Sequence, residues 1–127
     1  MQPNVSTVLA PPPASRRVAT LVVLSLAFAL VQLDATIVNV ALPHLRDALG
    51  GDLGDAQWAV VGYAVPFAAL MLAAGAGADR FGHRRTCVAG FVLFALASVV
   101  AALATGWVVL VAARAVQGAG AAMLLPA

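Results

Sequence analysis

The stretch TCVAGFVLFALASVVAALA, residues 86–104, decides the fold. It carries no charge over 19 residues, and about 20 apolar residues are what an α-helix needs to cross the hydrocarbon core of a bilayer. Three further apolar runs flank it, at 18–42, 57–78 and 107–127. The second contains Gly62 and Pro66, which would break a soluble helix but are tolerated as kinks in membrane helices. The expected fold is therefore all-α, a polytopic membrane protein with four transmembrane helices. Proline cannot continue the helical hydrogen-bond ladder, so Pro43 is expected to end the first helix. Asp55 stands where an N-cap for the second is expected.

Composition agrees. The chain has 127 residues, 63% hydrophobic and 9% charged, against about 25% charged in a soluble domain. All the cations are arginine and all the carboxylates aspartate. So few charges cannot cover a water-soluble globule, which excludes a soluble enzyme, a disordered protein and a nucleic-acid partner. Cys87 is the single cysteine, which excludes an internal disulfide and a cysteine-based metal cluster. Residues 1–17, with Pro11, Pro12 and Pro13 in a row, read as an extended, disordered N-terminal tail. Arg16 and Arg17 followed by an apolar run and Ala27-Phe28-Ala29 imitate a signal peptide. The run continues well past that point, however, and three more follow, so a retained helix is expected.

Arginine placement sets orientation. Arg16, Arg17, Arg80, Arg84 and Arg85 lie on one side; Arg46, outweighed by Asp47, Asp52 and Asp55, lies on the other. The N-terminus and the loop after the second helix are thus expected in the cytoplasm. The absence of Lys and Glu beside abundant Ala, Arg, Gly and Val suggests a GC-rich bacterial genome, and hence a bacterial inner membrane.

Two charges fall inside the spans, and an ionisable group at such depth is costly enough to imply function. Asp34 lies 17 residues beyond Arg17, about 25 Å into the membrane. Arg114 lies seven residues beyond Trp107, about 10 Å below the opposite surface. In a core about 30 Å thick they sit at comparable depth and can face one another. Gln117, Gly118 and Ala121 share the Arg114 face of the fourth helix. On the first helix, Gln32, Thr36 and Asn39 form a stripe expected to pack against neighbouring helices, leaving Asp34 for a water-filled cavity. A structural Asp–Arg pair locking the two helices is the competing reading. In the expected loop 79–85, Asp79 at a helix C-terminus wants a cationic partner. Arg80, Arg84 and Arg85 stand beside it, and Gly75, Gly77 and Gly82 permit a tight turn and close helix approach. Together they suggest a charge latch that breaks and reforms as helices move.

Leu33-Asp34-Ala35-Thr36-Ile37-Val38-Asn39-Val40-Ala41-Leu42-Pro43 matches L-D-x-T-I-V-N-V-A-L-P, the first-helix motif of the fourteen-helix drug:proton antiporter branch of the major facilitator superfamily. Gln57-Trp58 with Tyr63 resembles that branch's second-helix opening. Gly75 to Arg85 resembles the loop motif G-x-L-A-D-R-x-G-R-[RK], with Gly77 in place of Leu and His83 in place of Arg. Arg114 to Ala122 fits R-x-x-Q-G-x-G-A-A. The resemblance implies a proton-coupled exporter of drug-like or antibiotic-like small molecules, cationic or amphipathic ones among them. By resemblance Arg114 would assist proton coupling; the physical reading adds Asp34, alternating between protonated and ionised, and Gln117 beside them as the proton-coupling and substrate-cavity residues. The conformational latch would be Gly75, Asp79, Arg80, Gly82, Arg84 and Arg85, and helix packing would rest on Gly118, Gly120 and Ala122. No cofactor or metal is implied. Facilitator halves are built from three-helix repeats, so four helices read as one repeat plus the next helix. The expected partners are then the lipid bilayer, protons, the substrate and the missing C-terminal helices of a parent transporter, without which the fragment is inactive. Alternatives are a facilitator for another small solute, a small four-helix exporter that dimerises, and a non-transporting vestigial or partner membrane protein. The absence of H-E-x-x-H and G-x-S-x-G motifs argues against an intramembrane enzyme.

Overall fold

The computed structural model describes residues 13–125. Four helices follow one another: α1 (Ala14–Leu49), α2 (Leu53–Phe81), α3 (His83–Ala102) and α4 (Trp107–Leu124). Each is long and apolar enough to cross a membrane, and the described residues contain no strand.

The helix ends depart from the sequence expectation in physically readable ways. Residues 1–12 of the expected tail lie outside the described residues, but Ala14 to Arg17 already form the first turn of α1. At the other end, α1 runs through Pro43 and stops only at Gly50, whose φ is +61° and whose N–H donates to the Arg46 carbonyl at 3.0 Å. A proline in a helix removes one ladder bond without forcing a stop, whereas a left-handed glycine turns the chain and caps the last carbonyls. The 36 residues of α1 extend over about 54 Å. This exceeds the hydrocarbon thickness and leaves both charged ends outside it.

The N-cap of α2 is Asp52 rather than Asp55. The Asp52 carboxylate accepts from the Asp55 N–H at 2.9 Å, and the Asp55 carboxylate accepts from the Asp52 N–H at 3.2 Å. This reciprocal box satisfies two of the donors a helix start leaves open, which a single cap at Asp55 would not. Pro66 lies inside α2 without ending it. The expected basic loop at 79–85 shrinks to one residue: Asp79, Arg80 and Phe81 complete α2, and His83, Arg84 and Arg85 begin α3. Gly82 turns the chain alone, with φ +96° and ψ 132°, a conformation open to glycine and strained for other residues.

The last helix is the centre of the fold. It packs along both α2 and α3, and α1 touches α4 and α2 more sparingly. Its buried residues include Leu110, Ala113, Arg114, Gln117, Gly118, Gly120, Ala121 and Ala122. Close approach comes from small residues, as in membrane helix pairs generally. A Cβ on Gly118 would overlap the Tyr63 carbonyl of α2, and one on Gly120 would lie 2.8 Å from the Phe94 nitrogen of α3. Only Ala27 and Val31 of α1 are fully buried. They continue with half-buried Asp34, Val38, Ala41 and Leu45 as a single helical stripe. Large apolar side chains elsewhere on α1, such as Leu21, Leu26, Leu33 and Val40, are exposed, as suits a surface facing lipid or further helices.

Candidate intramembrane ion-pair site

The α1 stripe brings Asp34 against α4, and there it meets Arg114. The Arg114 Nη1 donates to Asp34 Oδ2 at 2.5 Å, with the arginine side chain 3% and the aspartate 18% exposed. Each charge offsets the cost of removing the other from water. The same Nη1 donates to Gln117 Oε1 at 3.1 Å, and Arg114 Nε donates to the Ala59 carbonyl of α2 at 3.4 Å. The guanidinium carbon also lies 4.4 Å from the centre of the Tyr63 ring.

Gln117, one turn on from Arg114, closes the cluster. Its Nε2 donates to Asp34 Oδ1 at 3.1 Å and to Ser98 Oγ of α3 at 2.8 Å. Ser98 in turn donates to the Phe94 carbonyl at 2.9 Å, so its oxygen is left to accept from Gln117. The amide orientation is thereby determined: turned over, its oxygen would face a carboxylate and its nitrogen a guanidinium. Asp34 accepts through both oxygens, from Arg114 and from Gln117. All four helices contribute to this cluster, α1 through Asp34, α2 through Ala59 and Tyr63, α3 through Ser98, and α4 through Arg114 and Gln117.

Asp34, Arg114 and Gln117 meet as their depth and helical spacing lead one to expect, whereas the parts played by Ser98 and by the Tyr63 ring against the arginine do not follow from the sequence. Ser98 is the one hydroxyl in the interior of the uncharged run, and that is the signal it carried. The Gln32, Thr36 and Asn39 stripe differs from expectation. These residues are exposed and no other described helix covers them. The Thr36 hydroxyl donates back to the Gln32 carbonyl at 2.9 Å, satisfying itself within α1. The reason is rotational: the stripe through Ala27, Val31 and Asp34 is the contact face, so the neutral polar residues point away. Asp34 accordingly faces α4 rather than an open cavity.

At the α2–α3 junction, Asp79 lies 3.5 Å from His83 Nε2 across Gly82, both side chains largely exposed. The arginines expected to latch Asp79 do not reach it. Arg80 lies over the Phe81 ring at 5.7 Å, and Arg84 and Arg85 have no carboxylate within ion-pair distance among the described residues. The Gly82 turn explains the choice, because it brings the first residue of α3 back beside the last turn of α2. Gly75 is half-buried in α2. Gly118 and Gly120 are the close-approach points described above, and Ala122 is fully buried beside them.

The Major Facilitator Superfamily model matches residues 24–127. The chain is 40% identical over 113 residues to a methylenomycin A resistance protein of Bacillus subtilis, covering 89% of this chain and 24% of that protein. It is 42% identical over 120 residues to a probable actinorhodin transporter of Streptomyces coelicolor, covering 94% and 21%. It is 44% identical over 112 residues to a cephamycin export protein of Amycolatopsis lactamdurans, covering 88% and 23%. The chain thus spans about a quarter or less of the length of these curated relatives. With four helices long and apolar enough to cross a membrane among the described residues, and a family match over most of its length, this chain belongs to the Major Facilitator Superfamily, a family of transporters rather than enzymes.

Proposed function

We propose that this chain forms the opening four helices of a proton-coupled exporter of drug-like or antibiotic-like small molecules, with Asp34 as the exchange site. The observation that carries the reading is the Asp34–Arg114–Gln117 cluster joining α1 to the rest of the bundle inside the span. Names of relatives as resistance and export proteins support the cargo class. When ionised, Asp34 binds Arg114 and Gln117 and holds α1 to α4. Proton uptake removes the carboxylate charge and one of its two acceptor sites, which loosens α1. Beyond the cluster α1 has only Ala27 and Val31 fully buried. A cationic or amphipathic substrate would then compete with the proton for the same carboxylate.

The gathering of Arg16, Arg17, Arg80, Arg84 and Arg85 at one end supports a cytoplasmic N-terminus and Gly82 turn by the positive-inside rule, and the bacterial source of the relatives supports a bacterial inner membrane. Gly75, Asp79, Arg80, Gly82, Arg84 and Arg85 would act there as the latch between conformations. The contact between Asp79 and His83 at 3.5 Å supports a charge exchange centred on Asp79. Alternating access needs further helices, so these 127 residues are not expected to transport by themselves. The test is Asp34→Asn in the full-length transporter, followed by proton-driven uptake of a fluorescent lipophilic cation into energised inverted vesicles, the direction that export takes there. Proton-driven uptake is expected to be lost while the protein still inserts; unchanged uptake would exclude Asp34 as the exchange site.

A further inference from the structure

The contact between α2 and α4 is tightest where Gly118 meets the backbone of Tyr63 and Phe67. That contact fixes the position of the Tyr63 side chain, which is 9% exposed. One turn before Gly118, the Arg114 guanidinium rests on the face of the Tyr63 ring, at 4.4 Å. The ring also stacks nearly parallel to Phe67, with centroids 6.0 Å apart and planes 9° apart. The Tyr63 hydroxyl, by contrast, has no hydrogen-bond partner among the described residues. The ring face is engaged and the polar handle is not.

This arrangement matters when the carboxylate is neutralised. Arg114 is 2% exposed, and a buried guanidinium that loses its counter-ion needs other stabilisation or it moves. On the α2–α4 side it keeps the Ala59 carbonyl, the Gln117 amide oxygen and the Tyr63 ring. Of these, the ring offers the guanidinium an aromatic face, on which a desolvated cation is strongly held.

We propose that Tyr63 is a positioning residue for proton exchange: its ring face retains Arg114 on the α2–α4 pair while Asp34 is neutral, ready to draw the carboxylate back. The proposal rests on the exchange reading above. It requires the aromatic face and not the hydroxyl. It also gives Gly118 a second task, since only a residue without Cβ lets the α2 backbone come close enough to place the ring.

The experiment uses the arginine-labelled chain in lipid nanodiscs and reads the ring-current displacement of the Arg114 side-chain resonances. The displacement is expected to persist in Tyr63→Phe and in Asp34→Asn, the latter mimicking the neutral carboxyl, and to vanish in Tyr63→Leu. In the full-length exporter, Tyr63→Phe should preserve the pH dependence of efflux. Tyr63→Leu should lower maximal efflux about tenfold with little change in the half-saturating substrate concentration. Loss of the Arg114 displacement in Asp34→Asn would show that the arginine leaves with its partner and would overturn the assignment. So would loss of efflux in Tyr63→Phe, a variant that keeps the ring and the fold. Intact proton-driven efflux in Asp34→Asn would overturn the exchange reading itself, a separate outcome from either of these.

Discussion

Gln117→Leu is the sharpest probe of the polar cluster. Leucine nearly conserves the volume of glutamine, and Gln117 is 1% exposed, so the substitution leaves little cavity and removes mainly hydrogen bonds. Three are lost: to Asp34 at 3.1 Å, to Ser98 at 2.8 Å and from Arg114 at 3.1 Å. Interhelical hydrogen bonds in a membrane average about 0.6 kcal/mol and reach about 1.7 kcal/mol. The expected loss is therefore about 2 kcal/mol, roughly a 30-fold shift in the folding equilibrium. Reversible unfolding in mixed micelles, followed through Trp58 and Trp107 fluorescence, measures it.

A double-mutant cycle with Ser98→Ala isolates the α3–α4 bond. Because the two substitutions delete one shared interaction, their effects should fall short of additivity by about 0.6 kcal/mol. Strict additivity, together with a Gln117→Leu cost below about 0.3 kcal/mol, would mean that the amide is not bonded as described, since that is within the scatter expected of independent sites.

Other consequences are local. Gly118→Ala should cost about 1–3 kcal/mol in the same unfolding assay, because the obstacle is the rigid Tyr63 backbone. Gly82→Ala should cost about 1–3 kcal/mol through its φ of +96°, with the loss concentrated in hydrogen exchange at the ends of α2 and α3. Asp52→Ala removes the capping box and should cost about 0.5–2 kcal/mol, seen as faster amide exchange at Asp55 and Ala56.

Much of the site was legible in the chain because charges inside membrane spans are rare. Counting residues from Arg17 to Asp34 and from Trp107 to Arg114 was enough to put the pair at one depth, and helical period then carried Gln117 beside it. Ser98 was hidden for a physical reason. A serine in a membrane helix satisfies itself on its own helix, as this one does with Phe94. Its second role depends on how closely Gly90 and Gly120 let α3 and α4 approach. The rotation of α1 was equally obscure, since polar residues such as Gln32 and Asn39 suggest an interior face until Ala27 and Val31 are seen to supply it. The helix ends failed where one residue was read alone. Pro43 did not stop α1, Asp55 capped as a partner of Asp52, and the 79–85 segment dissolved into two helices around Gly82.

In the exchange proposed for the full-length transporter, Asp34, paired with Arg114, gives up a proton as substrate binds. The most direct measurement is proton release from the purified full-length transporter in unbuffered detergent when a lipophilic cation is added. Release is expected from the wild type and none from Asp34→Asn. Equal release from both would contradict it.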